Sequence, residues 1–135
     1  MSPSDEMQAV QMLARLKARM ARDGIPFTGF LYAGLMIDPA GNVKTLEFNC
    51  RMGDPETQPI MLRLKSELLG IFEHAVAGTL AGVEADWDRH TALGVVMAAG
   101  GYPDDPKKGD VITGLPKPGA DPECVVFHAG TVKDG

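Results

Sequence analysis

The chain has 135 residues and a formal net charge of −5, from 13 Lys+Arg against 18 Asp+Glu, enough for one domain or parts of two. Hydrophobic residues make up 44% and charged residues 23%, a soluble globular composition that excludes disordered and fibrous classes. The acidic balance, with no cationic run longer than Lys107-Lys108, argues against nucleic acid as a partner, because a phosphate backbone needs several aligned cations. Cys50 and Cys124 stand far apart without metal-ligand or CxxC spacing, so neither a disulfide framework nor zinc is expected, and reduced thiols in a cytoplasmic setting fit. No secretory leader and no apolar run near membrane-spanning length is visible, so no membrane partner is expected. The 16 glycines and 10 prolines fall between short elements and favour a loop-rich α+β fold.

Ser2-Pro3-Ser4-Asp5 carries the hydroxyl cap, early proline and acidic first turn of a helix start. Met7, Val10, Leu13, Leu16 and Met20 then recur at helical spacing, and Gly24 and Pro26 end the element. Phe30 to Ile37 reads as a buried strand, Asp38-Pro39-Ala40-Gly41 as a turn, and Val43 to Asn49 as the returning antiparallel strand. Cys50 to Pro59 is a polar loop. The period of Ile60, Leu64, Leu68, Ile71, Ala75 and Leu80 predicts one long helix from Pro59 to about Leu80, ending at Gly82.

Residues 83–91 read as a linker in which Trp87 anchors the flanking parts by burial. From Ala92 the pattern becomes apolar strands between turns: Leu93 to Ala99, Asp110 to Leu115, and Cys124 to Val132. The final Lys133-Asp134-Gly135 resembles a turn with no returning strand, and an unpaired ladder there suggests a fragment of something longer. The expected organisation is therefore residues 1–82 as one catalytic part, 83–91 as linker, and 92–135 as an incomplete, mostly antiparallel domain.

Strict alternation along Val43 to Asn49 puts Thr45, Glu47 and Asn49 on one face, and Lys44, Leu46, Phe48 and Cys50 on the other. A carboxylate and an amide two residues apart, about 6.6 Å between Cα atoms, can converge on one ion. Both offer the hard oxygen that Mg²⁺ prefers, with nucleotide phosphates completing its shell. The competing reading is a solvated strand end. Arg51 suits bidentate pairing with phosphate or carboxylate, or an ion pair with Asp54 or Glu56 that fixes the loop. Asp54 before Pro55 serves equally as turn chemistry, bonding a downstream amide. His74, His90 and His128 have no nucleophile arranged beside them and read as structural.

The runs Gly29-Phe30-Leu31-Tyr32-Ala33-Gly34-Leu35-Met36-Ile37-Asp38 and Leu46-Glu47-Phe48-Asn49-Cys50-Arg51-Met52-Gly53-Asp54-Pro55-Glu56-Thr57-Gln58-Pro59 resemble the phosphoribosylamine-glycine ligase family of ATP-grasp enzymes. The likeness continues through Leu93 to Pro103, Gly109 to Ile112 and Phe127 to Thr131. It implies part of an ATP-grasp domain (helix, antiparallel hairpin, long helix) followed by the beginning of a small C-terminal domain. The implied activity is ATP-dependent joining of glycine to 5-phosphoribosylamine through a glycyl phosphate. By the same resemblance Glu47 and Asn49 match the ligands of Mg²⁺ or Mn²⁺. Arg51 lies beside the reacting phosphoryl group as the catalytic candidate, and Arg51 and Asp54 are the substrate- or phosphate-binding candidates.

Two departures qualify the resemblance. Family members are considerably longer, and many ATP-grasp relatives place a further acidic ligand on the preceding strand, where Tyr32 to Ile37 has none and the matching position is near Gly34. The chain alone is expected to be a poor catalyst. The alternatives are a non-catalytic folded remnant that self-associates through surfaces uncovered by truncation, and another ATP-grasp carboxylate-amine ligase.

Overall fold

The computed structural model describes residues 2–133, and it divides into two units, 1–96 and 97–135. In the first unit, helix α1 (Pro3–Arg22) begins as its sequence requires. Ser2 Oγ accepts from the Asp5 N–H at 3.3 Å and Asp5 Oδ2 accepts from the Ser2 N–H at 2.7 Å, a reciprocal cap that satisfies two helix-end donors. Its inward stripe differs from the expected one only in the first turns. Leu13, Leu16 and Met20 of that stripe are half-buried, but Met7 and Val10 are exposed, and Gln8 and Met12 are half-buried in their stead. The Gln8 amide donates to Gly41 O at 3.1 Å and accepts from the Val43 N–H at 3.2 Å, tying α1 to the hairpin.

The hairpin follows, with β1 (Tyr32–Ile37) and β2 (Val43–Asn49) antiparallel. Asp38 organises the turn. Its Oδ1 accepts from the N–H groups of Ala40 (3.0 Å) and Asn42 (2.9 Å), and Gly41 N–H donates to Asp38 O at 2.9 Å. The Asn42 amide first, with Lys44 helping at 3.5 Å, holds the Asp38 carboxyl below the usual carboxylate range. A lowered folded-state value makes its contribution to the turn fully present above about pH 3.9 and lost as pH falls through the folded-state value. The amide-proton shift of Asn42 should therefore titrate with a midpoint below that reference; a midpoint at or above it would mean that the turn bonds do not form in solution.

The single long helix expected from Pro59 is two. Helix α2 (Thr57–Arg63) and helix α3 (Leu68–Ala77) are separated by Leu64 to Glu67. The backbone there finds better partners than the helix: Lys65 N–H donates to Asp86 O at 2.9 Å, and Asp88 N–H donates to Arg63 O at 2.7 Å. Ser66 Oγ accepts from the Asp86 N–H at 2.6 Å, and Glu67 caps α3 through the Leu69 and Gly70 N–H groups. Gly78, left-handed at φ 72°, closes α3, and a short 3-10 turn, Leu80–Gly82, follows. Trp87 is not a buried anchor; it is 43% exposed and bridges Leu64. Phe30 and Phe72 meet edge-to-face at 5.8 Å, attaching α3 to the segment before β1.

Among the described residues from 93 onward no strand forms, so the strands expected at Leu93 to Ala99, Asp110 to Leu115 and Cys124 to Val132 have no ladder. A strand exists by pairing, and these three apolar runs do not pair with one another. Every described residue from 93 onward is exposed. The turn read at the C-terminus includes residues 134–135, which lie outside the described residues.

Candidate functional site

The site is the open face of the hairpin and the loop leaving it. Tyr32 pairs with Asn49, Ala33 with Phe48 and Gly34 with Glu47, but Leu35 pairs with Thr45, which leaves Leu46 as an extra residue. This bulge corrects the strict alternation expected for β2. Paired residues share a face, so Val43 and Thr45 lie with Leu35 and Ile37, whereas Glu47 and Asn49 lie on the opposite face with Gly34 and Tyr32. The first face takes α1, through the Thr45 hydroxyl on Met12 Sδ at 2.7 Å. The second keeps Glu47 and Asn49 free of it.

Gly34 makes the second face usable. A Cβ at position 34 would stand 2.9 Å from Glu47 Cγ, so the missing side chain is the space in which the Glu47 stem lies. Glu47 is exposed and Asn49 half-buried, with Asn49 Nδ2 buried and without a partner. An unpaired buried donor costs about 1–3 kcal/mol, so it marks an arrangement whose full set of partners is not within the hairpin.

The loop begins at Cys50. The Arg51 guanidinium is exposed and donates only to Met52 O, at 2.8 Å. Neither ion pair considered for it, with Asp54 or with Glu56, forms among the described residues. Its positive charge is available. Asp54 is exposed and makes no turn bond to a downstream amide; Gly53 O takes that role, accepting from the Thr57 N–H at 3.0 Å and from the Thr57 hydroxyl. Gly53 is the one buried residue among those described. A Cβ there would overlap the Glu56 carboxylate and stand 2.7 Å from Tyr32 Cε2.

Two residues that the sequence did not single out, Tyr32 and Gly53, stand beside the loop together with Glu56, which was considered only as a partner for Arg51. The Tyr32 hydroxyl donates to Glu56 Oε1 at 3.3 Å. Burial, then the Glu56 charge, pushes the Tyr32 phenol above its ordinary value, so it stays a donor. Glu56 Oε2 is buried without a partner. The histidines lie elsewhere, each against a neighbour: His74 on Thr79 at 2.9 Å, His90 on Asp88 at 2.7 Å and His128 on Thr131 at 3.2 Å. Cys50 and Cys124 are exposed free thiols.

Residues 1–57 match the family model described as phosphoribosylglycinamide synthetase, ATP-grasp (A) domain, which makes this hairpin part of an ATP-grasp fold. Residues 92–135 match the phosphoribosylglycinamide synthetase C domain. The chain belongs to the phosphoribosylglycinamide synthetase family. Among curated relatives, a phosphoribosylamine--glycine ligase of Ralstonia nicotianae is 68% identical over 117 residues, covering 86% of this chain and 27% of the relative. Those of Pseudomonas putida and Vibrio cholerae are 63% and 56% identical, each again over 86% of this chain and 27% of the relative. The chain thus spans about a quarter of the length of the relatives it matches.

Proposed function

We propose that this chain supplies the metal-phosphate hairpin and the arginine loop of a cytoplasmic phosphoribosylamine-glycine ligase in purine biosynthesis. In that reaction a glycine carboxylate oxygen attacks the γ-phosphorus of ATP, and ADP leaves. The amine of 5-phosphoribosylamine then attacks the glycyl phosphate carbonyl, releasing phosphate and a proton and leaving the amide product. The observation that carries the reading is Glu47 and Asn49 on one hairpin face, opposite Gly34, with the unpaired Arg51 two residues on.

The donor set fits Mg²⁺ or Mn²⁺. Glu47 offers a carboxylate in the space left by Gly34, and Asn49, whose Nδ2 is buried, offers its amide oxygen. Among the described residues no three His, Cys, Asp or Glu side chains cluster, so protein donors are few and phosphates and water complete the shell. When bound, the metal would offset the negative charge that accumulates in phosphoryl transfer. Glu47 and Asn49 would hold it, Arg51 would pair with the transferred phosphoryl group, and Asp54 would bind substrate or phosphate from the same loop. In the chain's organisation residues 83–91 are the linker between the ATP-grasp part, 1–82, and the incomplete C-terminal domain, 92–135, a reading supported by the start of the C-domain match at residue 92.

The test is a graft: the 117 matching residues of the Ralstonia nicotianae ligase exchanged for those of this chain. Glu47→Gln in the graft should lower ATP-dependent turnover about 100-fold or more and raise the metal concentration needed for half-maximal rate. Near-parental turnover would sink the ligand assignment. A second reading, self-association without catalysis, is favoured by the exposed apolar runs of residues 93–133.

A further inference from the structure

Tyr32 meets the arginine loop at both of its ends. It stands opposite Asn49, the last residue of β2, in the strand register, and its hydroxyl donates at 3.3 Å to Oε1 of Glu56, the residue from which α2 starts. One side chain thus closes residues 50–55 into a ring. Gly53 makes the closure possible, because a Cβ there would overlap the Glu56 carboxylate and stand 2.7 Å from Tyr32 Cε2. Gly53 is buried, and its carbonyl accepts from the Thr57 N–H at 3.0 Å, which fixes the first residue of α2 on the same point.

Arg51 lies inside this ring but makes no bond that would place it from outside. Its guanidinium donates only to Met52 O, a carbonyl of the loop itself, so its position follows the loop backbone. A loop held only where β2 ends would carry the arginine over a range of positions, and holding the second end narrows that range. Phosphoryl transfer is sensitive to such a range, since a misplacement of about 1 Å can cost about 100-fold in rate. Burial first, then the Glu56 charge, raises the Tyr32 phenol, which keeps its proton for the bond, and the Arg51 charge acts on it in the opposite direction, so the guanidinium is near enough for its charge to be felt there. Resting on the phosphoryl-transfer reading above, we infer that Tyr32 and Glu56 are positioning residues for Arg51: the hydrogen bond between them clasps the far end of the loop to the hairpin and holds the guanidinium in place for the transferring phosphoryl group.

The test is steady-state kinetics of the full-length graft. Tyr32→Phe removes the hydroxyl and keeps the ring; it should lower kcat about tenfold or more while the KM for ATP and the half-saturating metal concentration stay within about threefold of the parent. Glu56→Met should do the same, whereas Glu56→Gln, which retains an oxygen to accept from Tyr32, should keep kcat within about threefold. In an Arg51→Ala background Tyr32→Phe should cost nothing further, because no guanidinium is left to place. Additive losses in that cycle, a kcat within about threefold of the parent in Tyr32→Phe, or an equal tenfold loss in Glu56→Gln overturn the inference. A parallel rise in the metal requirement of Tyr32→Phe also overturns it, by assigning the clasp to the hairpin as a whole. Arg51→Ala is the reference: if it leaves kcat unchanged, the phosphoryl-transfer reading of the arginine fails, and if it alone lowers kcat, only the inference about Tyr32 and Glu56 fails.

Discussion

Arg51→Ala in the grafted enzyme should lower kcat by about 100- to 1,000-fold, the usual cost of deleting one donor aimed at developing charge. The physical basis is that this guanidinium is not already engaged. It is exposed, bonded only to the neighbouring Met52 carbonyl, and paired with neither acid of its own loop. A guanidinium committed to Asp54 would have its charge offset before a phosphoryl group arrived, and its removal would chiefly loosen the loop. Arg51→Lys separates the two cases. A lysine keeps the charge but loses the planar fork, so it should recover only part of the rate if Arg51 grips two oxygens of the transferring group. The half-saturating metal concentration should stay near the parental value, since Arg51 supplies no ligand. A kcat within about threefold of the parent in Arg51→Ala would remove Arg51 from catalysis.

Much of this site was legible in the sequence because its order is local. The Ser2 cap, the Asp38 turn and the two strands follow from residues within a few positions of one another. The bulge does not. Counting back from the turn, where Ile37 faces Val43, an unbroken ladder would set Ala33 against Glu47 and Leu31 against Asn49. The extra residue at Leu46 moves the pairing by one, to Gly34 and Tyr32. Only then does the absence of a side chain at position 34 acquire a purpose, and only then does Tyr32 reach the loop. The missing acidic residue on β1 looked like a gap in the metal site; in the structure its place is filled by the stem of Glu47.

The other differences have one cause, competition between local periodicity and long-range bonding. The apolar spacing from Ile60 to Leu80 is helical throughout, yet the backbone donors and acceptors around Leu64 go to residues 86 and 88, more than 20 positions away. Period alone cannot see such partners. The apolar runs after Ala92 show the converse: residue type favours strands, but strand formation needs a neighbour. The family match across residues 92–135 places these runs in a region that resembles the phosphoribosylglycinamide synthetase C domain.

Taken alone, the chain should therefore unfold without a cooperative transition. Its accessible surface is 11,415 Å², whereas a folded monomer of its mass exposes only about 6,800 Å² by the usual scaling with mass. No apolar side chain among those described is buried, and Leu93, Met97 and Val111 are 85%, 91% and 86% exposed. Without such burial the dominant favourable contribution to folding is largely absent, while the conformational entropy cost remains. Calorimetry of the isolated chain should show no peak approaching the roughly 0.7 kcal/mol per residue of a cooperative domain. The amides of residues 97–133 should exchange at unprotected rates, and become protected in the graft. The same open apolar runs should make the isolated chain's mass rise with concentration in sedimentation. A sharp transition of full enthalpy in a monomer at all concentrations would instead show that these residues find their partners within the chain, and the second reading, self-association, would fall with it.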